Sequence, residues 1–172
     1  MQIIKVPGIN GENSDGCERA GNALLDALKE ISSNEQGKSI DVENLDLEEI
    51  HLDNNNLKLT NKLIYENSFE AFGSKPRLIF LGGDHSISYS LTRAFLDYCQ
   101  TERKEPCLIV FDSRPNCFSP VKEPTSDQWL RGIIGHGFPA ENILLVGVRN
   151  SNFQEKEFLR EEGVKMISIS HI

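Results

Sequence analysis

The sequence contains no apolar run near the ~20 residues needed to span a bilayer, and its N-terminus lacks the pattern of a secretory signal. A cytoplasmic protein is the expectation. Basic residues are scarce: 18 lysines and arginines stand against 26 aspartates and glutamates, a net charge of −8. Such a chain repels polyanions at long range, so nucleic acid and anionic membrane surfaces are not expected partners. The four cysteines, Cys17, Cys99, Cys107 and Cys117, lack metal-type spacing. Two lie in apolar contexts, which predicts reduced, buried thiols. Neither a Gly-x-Gly-x-x-Gly pattern nor a P-loop occurs, so nucleotide binding has no motif behind it. Internal repeats, low-complexity tracts and linkers are absent too. With 172 residues and 38% hydrophobic composition, a single domain over residues 1–172 with a real core is expected.

What is present is an alternation of strand and helix signals. Strands are predicted at residues 2–6, 40–45, 77–81, 107–111, 143–148 and 166–170. Helical spacing of apolar residues marks residues 17–31, 57–72, 86–99 and 153–162, with a short helix after the cap Thr125-Ser126-Asp127. The runs at 77–81, 107–111 and 143–148 are continuously apolar, as in parallel strands buried on both faces. Those at 40–45 and 166–170 alternate, as edge strands do. The fold class is therefore α/β: a three-layer, doubly wound parallel sheet of about six strands.

Two strand ends carry polar chemistry. The first is Leu78-Ile79-Phe80-Leu81-Gly82-Gly83-Asp84-His85-Ser86, four apolar residues ending in a glycine pair before a helix. Glycines permit positive φ or close backbone approach, and the helix N-terminus that follows favours anions. Asp84 and His85 suit metal or anion chemistry there, or equally an Asp helix cap beside a structural histidine. The second is Cys107-Leu108-Ile109-Val110-Phe111-Asp112-Ser113-Arg114-Pro115-Asn116, a strand running into an acidic loop. Ser86 next to His85 is no catalytic triad, because adjacent residues at a helix start diverge. Nothing in the sequence shows Cys117 to be activated.

The order strand-Gly-Gly-Asp-His-Ser, helix, strand-Asp resembles the arginase/agmatinase (ureohydrolase) family. Gly16-Cys17-Glu18-Arg19-Ala20 is similar to that family's early turn, and residues 143–149 to its Gly-x-Arg strand end. The resemblance implies a pair of manganese ions held by His85 and by an Asp-x-His-x-Asp triplet. Here the triplet reads Asp112, Arg114, Asn116. Arginine stays protonated and offers no lone pair, and asparagine is a weaker, neutral replacement for a bridging carboxylate. The family's later Ser-x-Asp-x-Asp-x-x-Asp-Pro motif does not occur in these 172 residues.

The resemblance thus implies an arginase-like domain lacking the family's C-terminal part, with His85 and Asp112 as vestigial metal ligands. Arg114 is expected either to offset Asp112 in place of a cation or to point to solvent. A non-catalytic binding or interaction protein is the leading expectation, with no cofactor. The alternative is a manganese-dependent hydrolase of a guanidino or amidino C–N bond, not a peptide bond, whose site a second polypeptide completes. Partners then include a homo-oligomeric copy or that second polypeptide. In the family, later strands insert between the third and fourth. Without them the third and fourth strands are expected to pair directly, in the order 2-1-3-4-5-6. A small-molecule crevice would then be lined by Asn10, Asn13, Gly82, Gly83, Asp84 and His85.

Overall fold

The computed structural model of the chain describes residues 1–11, 14–31, 33–38, 41, 44–119 and 122–168. It comprises two compact units, Met1–Ile87 and Ser88–Ile172.

In the first unit, β1 (Gln2–Val6) is the middle of three parallel strands, between β2 (Asp46–Glu49) and β3 (Leu78–Gly82). Ile3, Ile4 and Val6 are buried, as a central strand requires. After a 3-10 turn at Cys17–Arg19, α1 (Ala20–Lys29) packs with Gly21 against Lys5 and Leu81 on one sheet face. On the opposite face lies α2 (Leu57–Ser74), where the Phe72 ring meets Phe80 at 5.6 Å. The Asn56 side chain caps α2 by accepting the Leu59 N–H at 3.1 Å. A helix on each face is the doubly wound arrangement in miniature.

In the second unit, β5 (Ile143–Val148) is central, flanked in parallel by β4 (Leu108–Phe111) and β6 (Lys165–Ser168). Its Ile143 and Leu145 join Leu96 of α3 (Ser86–Thr101), Leu130 and Ile133 of α4 (Trp129–Gly135), and Leu159 of α5 (Phe153–Glu162) in one core. α5 opens on a capping box: Asn152 accepts the Glu155 N–H, and Glu155 accepts the Asn152 N–H in return. It closes on Gly163 at φ 77°, a left-handed cap that glycine adopts without strain.

Three expectations are corrected. The second strand lies at Asp46–Glu49 rather than 40–45; residues 40, 42 and 43 fall outside those described. Every residue of this edge strand is exposed, so apolar alternation exerts no pull there. What sets its position is the following residue, Ile50, buried and bonded from its N–H to the Lys5 carbonyl. Next, Thr125-Ser126-Asp127 does not cap α4. The Gln128 side chain turns back instead and accepts from the Thr125 N–H and hydroxyl.

The third correction concerns β3 and β4. Orders 2-1-3 and 4-5-6 are both present, but β3 and β4 are not paired among the described residues. Nor are they buried on both faces. In β4, Leu108 and Val110 pack against the core, whereas Ile109 is 59% and Phe111 79% exposed. Alternate residues of a strand face opposite sides. The register places Ile109 and Phe111 beside Leu144 and Val146 of β5, on the face turned from the core. Ile79 of β3 is exposed as well. Continuous apolar character therefore reports a capacity for two-sided burial that the described residues do not supply. Phe111→Lys is accordingly expected to change unfolding free energy by no more than about 0.5 kcal/mol. Light scattering should show less self-association in that variant, because the most exposed ring of an open sheet face is gone.

Candidate functional site

The strand end at Gly82–His85 is built by close backbone approach. Neither Gly82 nor Gly83 has a positive φ. A Cβ on Gly83 would instead collide with the Gly8 carbonyl, and one on Gly82 with Ile87. That proximity lets the Gly83 N–H reach the Val6 carbonyl and the Asp84 N–H reach the Gly8 carbonyl, both at 3.1 Å. The loop after β1 is thereby fastened to the loop after β3.

Asp84 completes the fastening. One carboxylate oxygen accepts from the N–H groups of Asn10 (2.9 Å) and Gly11 (2.6 Å). The other accepts from the Ser86 N–H and hydroxyl. Burial pushes the Asp84 pKa up, but hydrogen bonds from Ser86, Asn10, Ser14 and Gly11 together hold it below the usual carboxylate range. Asp84 thus ties the first residue of α3, Ser86, to the loop at Asn10 and Gly11. Its oxygens are taken by protein donors rather than presented to a cation. His85, beside it at the start of α3, is exposed. Among the described residues, the Asn10 side-chain amide nitrogen is buried without a partner. Asn13 lies outside the described residues. Asn54, which the sequence reading passed over in an Asn-rich loop, holds the same segment by accepting the Ile9 N–H and donating to the Pro7 carbonyl.

Asp112, Arg114 and Asn116 belong to the second unit and form one local cluster. The Asp112 N–H bonds the Val146 carbonyl, which places its side chain at the end of β4. One of its oxygens accepts the Arg114 N–H at 3.1 Å, and the other accepts the Asn116 amide at 2.6 Å. Asn116 is only 4% exposed and adopts φ +53°, a left-handed conformation that asparagine tolerates better than most residues. The Arg114 guanidinium lies 4.0 Å from Asp127, and its side chain is largely exposed. Arg114 thus reaches Asp112 through its backbone, while the donor at the second carboxylate oxygen is Asn116.

Behind this loop, Cys117 is fully buried and its N–H donates to Glu155 at 3.3 Å. Burial, reinforced by the Glu155 charge, pushes the Cys117 thiol up to about 12, so it is an inert core group at neutral pH. Glu155 carried a legible signal, the Asn-x-x-Glu capping spacing, although its long-range bond to Cys117 did not.

A manganese pair needs several hard, mostly anionic donors converging on each ion. Among the described residues, no group of three or more His, Cys, Asp or Glu side chains is placed to hold a metal. Asp84 is saturated by N–H and O–H donors, and Asp112 meets the amide nitrogen of Asn116. This donor set does not fit a two-manganese centre. Also among the described residues, no helix is long and apolar enough to cross a membrane.

Comparison with known proteins gives these motifs their context. The sequence profile described as the Arginase family matches residues 1–172. An arginase of Staphylococcus aureus (strain MRSA252) is 25% identical over 199 residues, covering 100% of this chain and 64% of the relative. Formimidoylglutamase of Bacillus subtilis superposes with a TM-score of 0.83 at 22% identity, over 99% of this chain and 55% of that one. Proclavaminate amidino hydrolase of Streptomyces clavuligerus gives 0.81 at 15% identity, over 98% and 58%. Trypanosoma cruzi formiminoglutamase, solved with manganese, gives 0.78 at 16% identity, over 98% and 60%. The chain therefore spans little more than half the length of these structural relatives. With a profile match along its whole length and the arginase fold in its superpositions, the chain belongs to the arginase family.

Proposed function

We propose that this chain is a binding or interaction protein of the arginase family that does not itself hydrolyse a C–N bond. One observation supports the reading most: the Asn116 amide donates to Asp112 where the family pattern has a carboxylate. In the family's chemistry, bridging carboxylates hold two cations that lower the pKa of a shared water. An amide N–H on Asp112 satisfies that oxygen with a neutral donor and removes the negative charge that would attract a second cation. Binding through the loops around Gly82, Gly83 and Asp84 remains available, with the Asn10 amide, unpartnered among the described residues, beside them. His85 and Asp112 are then vestiges of the ligand set.

A second reading draws on a different observation, the open apolar face of β4. Ile109 and Phe111 would be covered if another polypeptide segment docked there, and the same segment could bring the missing ligands for a manganese-dependent amidinohydrolase. The test is incubation of the chain with manganese and a panel of guanidino and formimino compounds, following urea, ammonia and formamide release. No turnover is expected from the chain alone. Turnover would overturn the first reading. Turnover only after addition of a copurifying polypeptide, identified by native mass spectrometry, would establish the second.

A further inference from the structure

We propose that the chain forms a two-fold dimer in which α1 of one copy covers the bare face of the β4–β5–β6 sheet of the other. A second copy as the occupant of that open face rests on the interaction reading above, but dimerisation is read by mass and catalysis by turnover, so the two fail separately. An all-parallel sheet is ordinarily covered by helices on both faces. In the second unit, residues of α3, α4 and α5 share one core with Ile143 and Leu145, and Leu108 and Val110 pack against it. The strand register sets two rows on the opposite face: Ile109, Leu144 and Lys165, then Phe111, Val146 and Ile167. All but the lysine are apolar. Ile109, Phe111 and Ile167 are exposed, so this face is uncovered among the described residues.

The first unit holds the complement. α1 buries only Gly21 and Leu25, and Asn22 accepts from the Lys5 ammonium at 2.7 Å. Ala20, Ala23, Leu24, Ala27 and Leu28, continued by Ile31 just past the helix end, form an apolar stripe at helical spacing on the other side. Leu24 is 56% and Ile31 47% exposed, which leaves the stripe without a cover among the described residues. From Ala20 to Ile31 it runs about 16 Å, enough to cross a three-stranded patch about 10 Å wide. Its three alanines let a sheet approach closely.

The rims match in charge. Glu30 flanks the stripe and Lys165 ends the first sheet row, both exposed and neither in an ion pair among the described residues. Asp26 and Lys29, away from the stripe, pair with each other at 2.8 Å. The sheet face lacks a helix, the helix face lacks a cover, and every copy carries both. Two-fold symmetry then makes the contact twice. Together the two contacts bury on the order of 1,200 Å², the lower end of a stable interface, which one contact alone does not reach.

The test is sedimentation equilibrium of the native chain, of Leu24→Lys, of Phe111→Lys, and of an equimolar mixture of the two variants. The native chain is expected to dimerise with a dissociation constant on the order of 10 μM, and each variant about 10-fold more weakly. Both substituted residues are exposed, so the urea midpoints should match that of the native chain. The mixture is the decisive sample. In a dimer of either variant both contacts are damaged, whereas a mixed dimer keeps one native helix face on one native sheet face. The mixture should therefore dimerise more tightly than either variant alone. A native chain that stays monomeric at about 100 μM would overturn the proposal, whether or not a foreign polypeptide copurifies with it. So would a loss confined to Phe111→Lys, the mark of sheet stacked on sheet, or one confined to Leu24→Lys, the mark of helix on helix. A mixture no tighter than its two components would overturn it as well.

Discussion

Glu155→Ala is expected to destabilise the second unit by about 3–4 kcal/mol. Glu155 is a carboxylate only 5% exposed, with no ion pair among the described residues. Its two oxygens instead serve two separate structures. One closes the capping box of α5 through the Asn152 N–H, and the other receives the buried Cys117 N–H. Removing a cap costs about 1 kcal/mol, and stranding a buried N–H adds about 1–3 kcal/mol. The void beside the fully buried Leu159 and Cys117 increases the loss. Glu155→Gln keeps an acceptor oxygen and should lose about half as much, while Asn152→Ala should lose only the cap, about 1 kcal/mol. Urea unfolding of the three variants checks the series. Equal losses for Asn152→Ala and Glu155→Ala would mean that the bond to Cys117 contributes nothing.

Asp84→Ala is expected to cost about 2–3 kcal/mol in the first unit. It strands the N–H groups of Asn10, Gly11 and Ser86 at once and unfastens the loop after β1 from the one after β3. This contribution depends on pH with a definite sign. The folded Asp84 pKa lies below the ordinary carboxylate value. Its stabilisation is therefore complete above about pH 4, the unfolded value, and is lost as pH falls through the lower folded one. The stability gap between native protein and Asp84→Asn should shrink as pH drops below about 4, because protonation makes the native side chain resemble the variant. A gap that widened in acid would mean that Asp84 is held protonated in the folded state.

The parts of this fold that were legible in the sequence are those where local pattern and tertiary burial agree. β5 appears at the residues its apolar run predicts, with Ile143 and Leu145 in the core. α5 carries its own start and stop signals in Asn152, Glu155 and Gly163. β2 was misplaced because an edge strand is held by backbone bonds to β1, which no side-chain alternation records. The exposure of Ile109 and Phe111 was hidden for the opposite reason. Their composition speaks for burial, and only the assembled sheet shows a face left open.

In the site, residue types were legible but geometry was not. The resemblance to the arginase family marks Asp112, Arg114 and Asn116 as an altered form of its Asp-x-His-x-Asp triplet. That Asn116, rather than the arginine guanidinium, answers the second Asp112 oxygen depends on a left-handed backbone at residue 116. The tie from Asp84 to Asn10 crosses 74 residues of chain, a separation that local pattern cannot report.

We propose above that protein donors take the place of metal at Asp112. Calorimetric titration of manganese into the native chain and into the Arg114→His/Asn116→Asp double variant tests it most directly. The native chain should show no saturable binding. The double variant should show weak binding, because a second carboxylate facing Asp112 restores the charge that attracts a cation. Tight, stoichiometric manganese binding by the native chain would overturn that proposal, as would a double variant that binds no better than native.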